Sequence, residues 1–240
     1  MMKILGRIML GILVALFVVM PVQASTYAGT VGEVSGIAQA TSKTGKIRFL
    51  KKGDDVSVGE ELATKSRSSL VLHFKDKSRF ELGPESAMTV ESYRTGDQKQ
   101  STEKKAVQRE EASFVTSFSK GVFRFVSGLI AKRRPNAMRV RGPVATIGIR
   151  GTHVVGEFKA ESATVILMEP EGEPRPTAIE VSNQFGSVTV DEPGYGTEVP
   201  DANSPPTPPR RMRANVIRNL TQSIRAVQRI SVPRPRMHPH

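Results

Sequence analysis

Four carboxylates stand in pairs beside glycines, Asp54-Asp55 after Gly53 and Glu60-Glu61 after Gly59. Two carboxyls facing each other across a cleft could serve a glycosidase. In a segment of short strands and turns such residues instead cap turns through side-chain-to-backbone hydrogen bonds, and that reading is the stronger. His73 and His153 are the histidines of the central chain, and neither has a second histidine at metal-ligand spacing. A surface or packed role suits them better than a metal. His238 and His240 lie in a loose tail and would bind metal only adventitiously. No serine has the Gly-x-Ser-x-Gly setting of a nucleophile elbow, and no glycine loop is built to cradle phosphate. The chain has no cysteine, so thiolate chemistry and thiolate zinc sites are excluded. These residues predict no enzyme, no metal and no cofactor.

Two groups of arginines remain as candidates for binding. The run VRGPVATIGIRGTHVV, Val140 to Val155, sets Gly142-Pro143, Gly148 and Gly151 among β-branched and small residues. That pattern suits strands meeting at tight turns. If the turn at Gly151 exposes Arg150, its planar guanidinium could grip a carboxylate, a phosphate or a sugar-linked anion, with Thr152 beside it. An internal salt bridge or carbonyl clamp that pins the turn is the favoured alternative. The second group is Arg211, Arg218, Arg225 and Arg229, spaced to form one stripe on a C-terminal helix.

The elements that must carry these residues are mostly strands. From Gly29 to Val199, turn residues punctuate the chain at intervals of about 8–12 residues. Leu70 to Leu82 is the clearest unit, a half-buried hairpin. Leu70, Leu72 and Phe74 point one way and Val71, His73 and Lys75 the other. Asp76-Lys77-Ser78 turns the chain, and Phe80 and Leu82 resume the alternation. Thr30–Ala40, Ile47–Leu50, Met88–Tyr93, Val122–Val126, Thr164–Met168, Ala178–Val181 and Ser187–Val190 are further strand candidates. Arg94 to Ser113 is a polar interruption, and Glu169 to Pro176 is a second turn-rich excursion. Residues 200–209, PDANSPPTPP, predict a stiff proline-rich spacer. Met212, Val216, Leu220, Ile224 and Val227 then recur every three or four residues, which predicts a basic amphipathic helix over 210–231 and a disordered tail over 232–240.

At the other end, Lys3 and Arg7 precede an apolar run from Ile8 to Met20, and Val22 and Ala24 mark a small-residue cleavage site. Residues 1–24 therefore predict a secretory signal peptide, cleaved near Ala24, and a periplasmic or secreted mature chain. The net charge of +12 divides unevenly. Of 35 basic groups, two fall in the signal segment and eight arginines lie beyond Ala202, leaving 25 against 23 acids in the body. Nucleic acid is therefore not an expected partner, because the basicity belongs to the tail.

The body resembles a FecR-type domain. The signs run in order: Gly32-x-Val34-x-Gly36-x-Ala38, then Leu50-x-x-Gly53-Asp54-x-Val56-x-x-Gly59-Glu60-x-Leu62-x-Thr64. Next come Phe74-x-Asp76-x-Ser78-x-Phe80-x-Leu82-Gly83-Pro84, Lys120-Gly121-x-Phe123-Arg124, Pro143-Val144-Ala145 and Ile149-Arg150-Gly151-Thr152. Two features depart from the family. Lys77 stands after the hairpin Asp where the family has Gly, and only seven residues precede the apolar run, too few for a cytoplasmic anti-sigma region. The resemblance implies an all-β envelope domain without catalytic residues. In the signalling members it implies contact with an outer-membrane receptor.

The expected architecture is all-β, a β-sandwich or a short β-helical roll over 25–199, with a C-terminal amphipathic helix after the proline-rich linker. The expected function is an exported interaction module that binds an envelope protein or glycan, with an anionic membrane surface as a further partner of the helix. A regulator of the FecR type, working with a separate anti-sigma protein, is the alternative. A carbohydrate-active enzyme ranks last.

Overall fold

The computed structural model describes residues 26–95, 112–134, 137–171 and 176–225. The expected signal peptide, most of the polar interruption, Arg229 and the tail over 232–240 lie outside them. The described chain opens with β1 (Tyr27–Ser35), β2 (Ala38–Thr41), β3 (Ile47–Phe49) and β4 (Asp55–Ser57). There follow β5 (Glu61–Thr64), β6 (Ser69–Phe74), β7 (Arg79–Leu82), β8 (Ala87–Arg94) and β9 (Ser113–Val126). A short helix, α1 (Leu129–Arg133), leads to β10 (Met138–Arg141), β11 (Thr146–Arg150), β12 (His153–Phe158) and β13 (Ala163–Met168). The chain continues through β14 (Ala178–Asn183), β15 (Gly186–Val190), β16 (Tyr195–Val199), β17 (Arg210–Arg211) and α2 (Ala214–Arg225).

Pairing sorts the strands into two sheets. Sheet A runs β4-β1-β6-β7-β9-β12-β13-β16-β17. Sheet B runs β3-β2-β5-β8-β9-β10-β11-β14-β15. The two face each other across one core, where Phe80 of sheet A lies 5.7 Å from Phe118 of sheet B and Phe74 lies 5.6 Å from Tyr93. From β6 onward the chain alternates hairpin by hairpin between the sheets. A sandwich thus carries the winding of a roll, which is why period-two alternation alone left both descriptions open.

β9 belongs to both sheets. Its first half pairs with β8 and β10 in sheet B, and its second half with β7 and β12 in sheet A. The change occurs at Gly121, whose φ of +113° favours glycine and whose absent side chain makes room for Ser86. The expected strand Val122–Val126 is therefore only the sheet A half of a longer one. Thr30–Ala40, expected as one strand, is broken at Gly36 into β1 and β2, which enter different sheets.

The hairpin of β6 and β7 forms with Leu72 opposite Phe80, and Leu70, Leu72, Phe74, Phe80 and Leu82 are all buried. Its turn is held by Asp76, itself buried. Asp76 Oδ1 accepts from the Ser78 N–H and the Tyr93 hydroxyl, each at 3.1 Å, and Oδ2 accepts from the Ser78 hydroxyl at 2.7 Å. Burial, then the Asp76 carboxylate, push the Tyr93 phenol well above its ordinary pKa, so it remains a donor.

At the C-terminal end, the stiff spacer expected over 200–209 lies along the body. Thr207 N–H donates to the Glu198 carbonyl at 2.9 Å, the Asn183 side chain donates to the Ser204 carbonyl at 2.8 Å, and Pro206 is buried. The prolines stiffen this segment, but these polar contacts fix its path along β14 and β16. The helix also begins later than residue 210, because Arg210 and Arg211 form β17 against β16.

Lys77 occupies the hairpin position with φ of +67°, a left-handed conformation that costs a non-glycine residue about 1 kcal/mol. Replacing Lys77 with Gly should raise stability by up to about 1 kcal/mol, part of the gain being offset by glycine's greater unfolded-chain entropy. A urea titration should show a higher midpoint at unchanged slope, and a lower midpoint would contradict the strain.

Candidate functional site

The outer faces of the two sheets differ in what covers them. On sheet A, Val122, Val155 and Ile166 point outward, opposite in sense to Phe123, Val154 and Leu167, which enter the core. They would be exposed apolar residues but for α2. Met212, Leu220 and Ile224 pack over them as a second buried cluster, with Val216 and Ile217 at its margin. The amphipathic face read from the sequence is thus spent on the body. The Met212 N–H donates to the Gly194 carbonyl at 2.9 Å and anchors the approach to the helix.

Beside that apolar strip lies a polar cluster. Arg124 donates from Nε to His153 Nε2 at 2.7 Å and from Nη2 to Glu171 Oε1 at 2.6 Å, and its Nη1 lies 3.4 Å from Glu81. Arg79 reaches the same two carboxylates, Glu171 at 2.8 Å and Glu81 at 3.0 Å. His153 is buried, and its Nδ1 lies 3.0 Å from the Glu169 carbonyl. Because Nε2 accepts from an arginine, the proton belongs on Nδ1 and is donated to Glu169. Burial first, opposed by the Glu169 carbonyl and reinforced by Arg124, holds the imidazole below its usual pKa of about 6.5. The cluster ties the chain at 169–171 to β7, β9 and β12. Its two arginines are balanced by two glutamates, so it acts as a clamp. The sequence signal was Arg79 and Glu81 alternating with Phe80 and Leu82 on one strand. It became legible only once the register set Glu81 beside Arg124.

The outer face of sheet B carries a different set. Met138 and Val140 enter the core from β10, so Arg139 and Arg141 point outward about 7 Å apart along the strand. On the neighbouring β11, Ile147 and Ile149 enter the core, and Gly148 and Arg150 face out with Gly148 opposite Arg139. Arg141 pairs with Glu91 at 2.8 Å. Arg150 is 47% exposed and lies 3.7 Å from Glu180, a surface pairing worth at most about 1 kcal/mol. Arg150 is thus displayed on the surface and loosely paired with Glu180. The alternation Met138-Arg139-Val140-Arg141 was the signal for its two companions.

The remaining expected site residues separate. Thr152 is fully buried, and its carbonyl accepts from the Ser127 N–H at 3.0 Å. A surface partner cannot reach it, so its role is corrected from binding to holding the turn before β12. Arg211 lies on β17 and Arg218 on α2, both exposed. Arg225 ends α2, and its side chain, like Arg229, is outside the described positions. The helix covers sheet A while Arg150 faces outward from sheet B, so the two arginine groups do not share one flat surface. Among the described residues, no group of three or more His, Asp or Glu is placed to hold a metal ion. No helix among them is long and apolar enough to cross a membrane.

Residues 60–171 match the family model described as FecR protein, from β5 to the end of the clamp at Glu171. The chain carries a FecR-like domain. This match is narrower than the resemblance read from the sequence, which covers about Gly29 to Val199. Two crystal structures, at 1.65 and 2.50 Å resolution, of a protein assigned as an anti-sigma factor from Parabacteroides distasonis are also similar. Each shares 14% identity with a TM-score of 0.46, and the match covers 68% of this chain and 64% of that protein. No curated protein matches.

The clamp makes a pH prediction. Below about 6.5 the unfolded chain takes up a proton on His153 that the folded chain resists. The stability conferred by the neutral imidazole is thus complete above that pH and is lost as pH falls toward the depressed folded-state value. Thermal midpoints measured from pH 8 to pH 5 should decline more steeply for this chain than for His153→Gln. Parallel profiles would show that His153 does not couple to folding.

Proposed function

We propose that this protein is a non-catalytic, exported envelope module whose FecR-like domain recognises an acidic surface on a partner protein through the outer face of sheet B. The observation that carries the reading is the contrast between the two faces. That of sheet A is occupied by α2 and by the Arg79–Glu81–Arg124–His153–Glu171 clamp. That of sheet B presents Arg139, Arg141 and Arg150 beside the side-chain-free surface of Gly148. Guanidinium groups on a rigid strand pair favour planar carboxylate ligands, because their fork geometry is pre-organised. An anionic envelope glycan offers similar groups and is the other candidate ligand.

In this reading residues 1–24 direct export and are removed near Ala24, placing the domain in the periplasm or outside the cell. The match to the FecR family supports a second reading, in which the partner is a signalling receptor and a separate protein contacts the sigma factor. The helix arginines Arg211, Arg218, Arg225 and Arg229 are a secondary contact for a partner or an anionic membrane. Their apolar companions are already packed on the body, so the helix does not serve as an insertion anchor.

Crosslinked capture from native envelopes tests the proposal. The combined change Arg139→Gln, Arg141→Gln and Arg150→Gln should lower recovery of the specific partner at least tenfold, whereas Arg211→Gln with Arg218→Gln should leave it within twofold. Recovery that follows the second pair and ignores the first three would move recognition to the helix. An outer-membrane receptor as the captured partner would favour signalling.

A further inference from the structure

Sheet B ends at β3, and the residues that expose apolar side chains there also own its open main-chain groups. Ile47 is 59% exposed, Phe49 68% and Ile37 51%. The register sets Phe49 beside Gln39 and Ile47 beside Thr41, so Ile37, two residues before Gln39, extends the same outer face. The Leu50 N–H donates to the Ala38 carbonyl at 2.9 Å, and the Lys46 carbonyl accepts from the Ser42 N–H at 2.9 Å. Residues 46, 48 and 50 therefore turn their main chain toward β2. By antiparallel alternation the N–H and C=O groups of Ile47 and Phe49 point the other way, into the open edge.

Basic residues gather around this edge, with Glu61 exposed beside Thr41 and Asp55 exposed beside Arg48. Arg48 alternates to the opposite face, where it meets Glu60 at 2.9 Å, the Asp55 carbonyl at 2.7 Å and Asp54 at 3.7 Å. Those contacts commit the nearby acids Asp54 and Glu60. Lys46, Lys51 and Lys52 remain exposed at the two ends of β3, and Lys65, whose N–H donates to the Ile37 carbonyl at 3.0 Å, adds a fourth at the patch.

We propose that β3 is a docking edge for an extended acidic segment of a partner protein. The segment adds a strand to sheet B, lays alternate apolar side chains over Ile37, Ile47 and Phe49, and sets its carboxylates beside the lysines. A second copy of this chain fits less well, because antiparallel self-pairing brings Lys46 of one copy near Lys51 of the other. A lipid surface fits less well too. Sinking Ile47 and Phe49 into hydrocarbon would strip water from their open N–H and C=O groups. Strand addition satisfies the side chains and the main chain together. The surface is separate from the arginines of β10 and β11, so either can fail alone.

The test is titration of the full chain, labelled with nitrogen-15, with capped nine-residue peptides alternating Val and Glu. The expected result is saturable shifts confined to residues 37–52, with exchange of the Ile47 and Phe49 amides slowed at least tenfold. Matching peptides of Val and Lys should not bind. Ile47→Pro removes an outward N–H without touching the pairing to β2 and should weaken binding at least tenfold. Phe49→Ser should also weaken it, which keeps the test decisive if the proline variant misfolds. The proposal is overturned by any of four results: no binding, shifts elsewhere, binding indifferent to both variants, or Phe49 protected instead by phosphatidylglycerol vesicles or by self-association.

Discussion

The Asp76 carboxylate is the point at which three otherwise separate parts of the chain are joined. It closes the turn of β6 and β7 through Ser78, reaches β8 through the Tyr93 hydroxyl, and meets the start of α1 through the Ile130 N–H at 3.4 Å. Its own N–H donates to the Tyr93 oxygen at 2.7 Å, and its carbonyl accepts from the Leu129 N–H at 2.7 Å. Gly128 completes the junction by donating to the Ser78 hydroxyl at 2.9 Å, in a space that leaves no room for a side chain. A carboxylate with both oxygens filled by donors tolerates burial, whereas loss of it would leave several buried donors without partners. The hairpin of sheet A, a strand of sheet B and the crossover from β9 to β10 are thereby held in one arrangement.

That arrangement decides which surfaces are free. With β9 running from sheet B into sheet A, β7 and β12 lie on either side of its second half, and Glu81, Arg124 and His153 meet on the outer face. The chain after β13 folds over this cluster, and α2 covers the apolar strip beside it. The outer face of sheet B carries exposed arginines, and its open edge carries apolar side chains with a lysine rim.

Much of the β-body was legible because one-sided burial leaves a period of two. The Leu70 to Leu82 hairpin follows from that alternation, and Asp76-Lys77-Ser78 from turn chemistry. Val154-Val155 and Ile166-Leu167 break the alternation because both faces of their strands are buried, one by the core and one by α2. That doubling was itself a sign that the helix would pack on the body. The path of the proline-rich segment was not legible for a physical reason. Proline stiffens a chain without saying whether it projects or lies flat, and the contacts of Thr207, Asn183 and Ser204 come from residues whose pairing is not local. Thr152 carried no sequence sign of its burial, because a single threonine after a turn is equally at home on either side of a sheet. The arginines of β10 could have been read from their alternation with Met138 and Val140, but only the register of β10 and β11 sets them near Arg150.

Docking of α2 makes it part of the body and closes the apolar strip on the outer face of sheet A, which is why the proposed recognition falls to sheet B. Hydrogen exchange of the α2 amides in the full chain tests it most directly. A helix of this length is marginal alone in water, so docking must supply its protection. Amides in the second half of α2 should exchange at least a hundredfold more slowly than unstructured peptide. Exchange at unprotected rates, with β12 and β13 still protected, would show instead that the helix is free of the body.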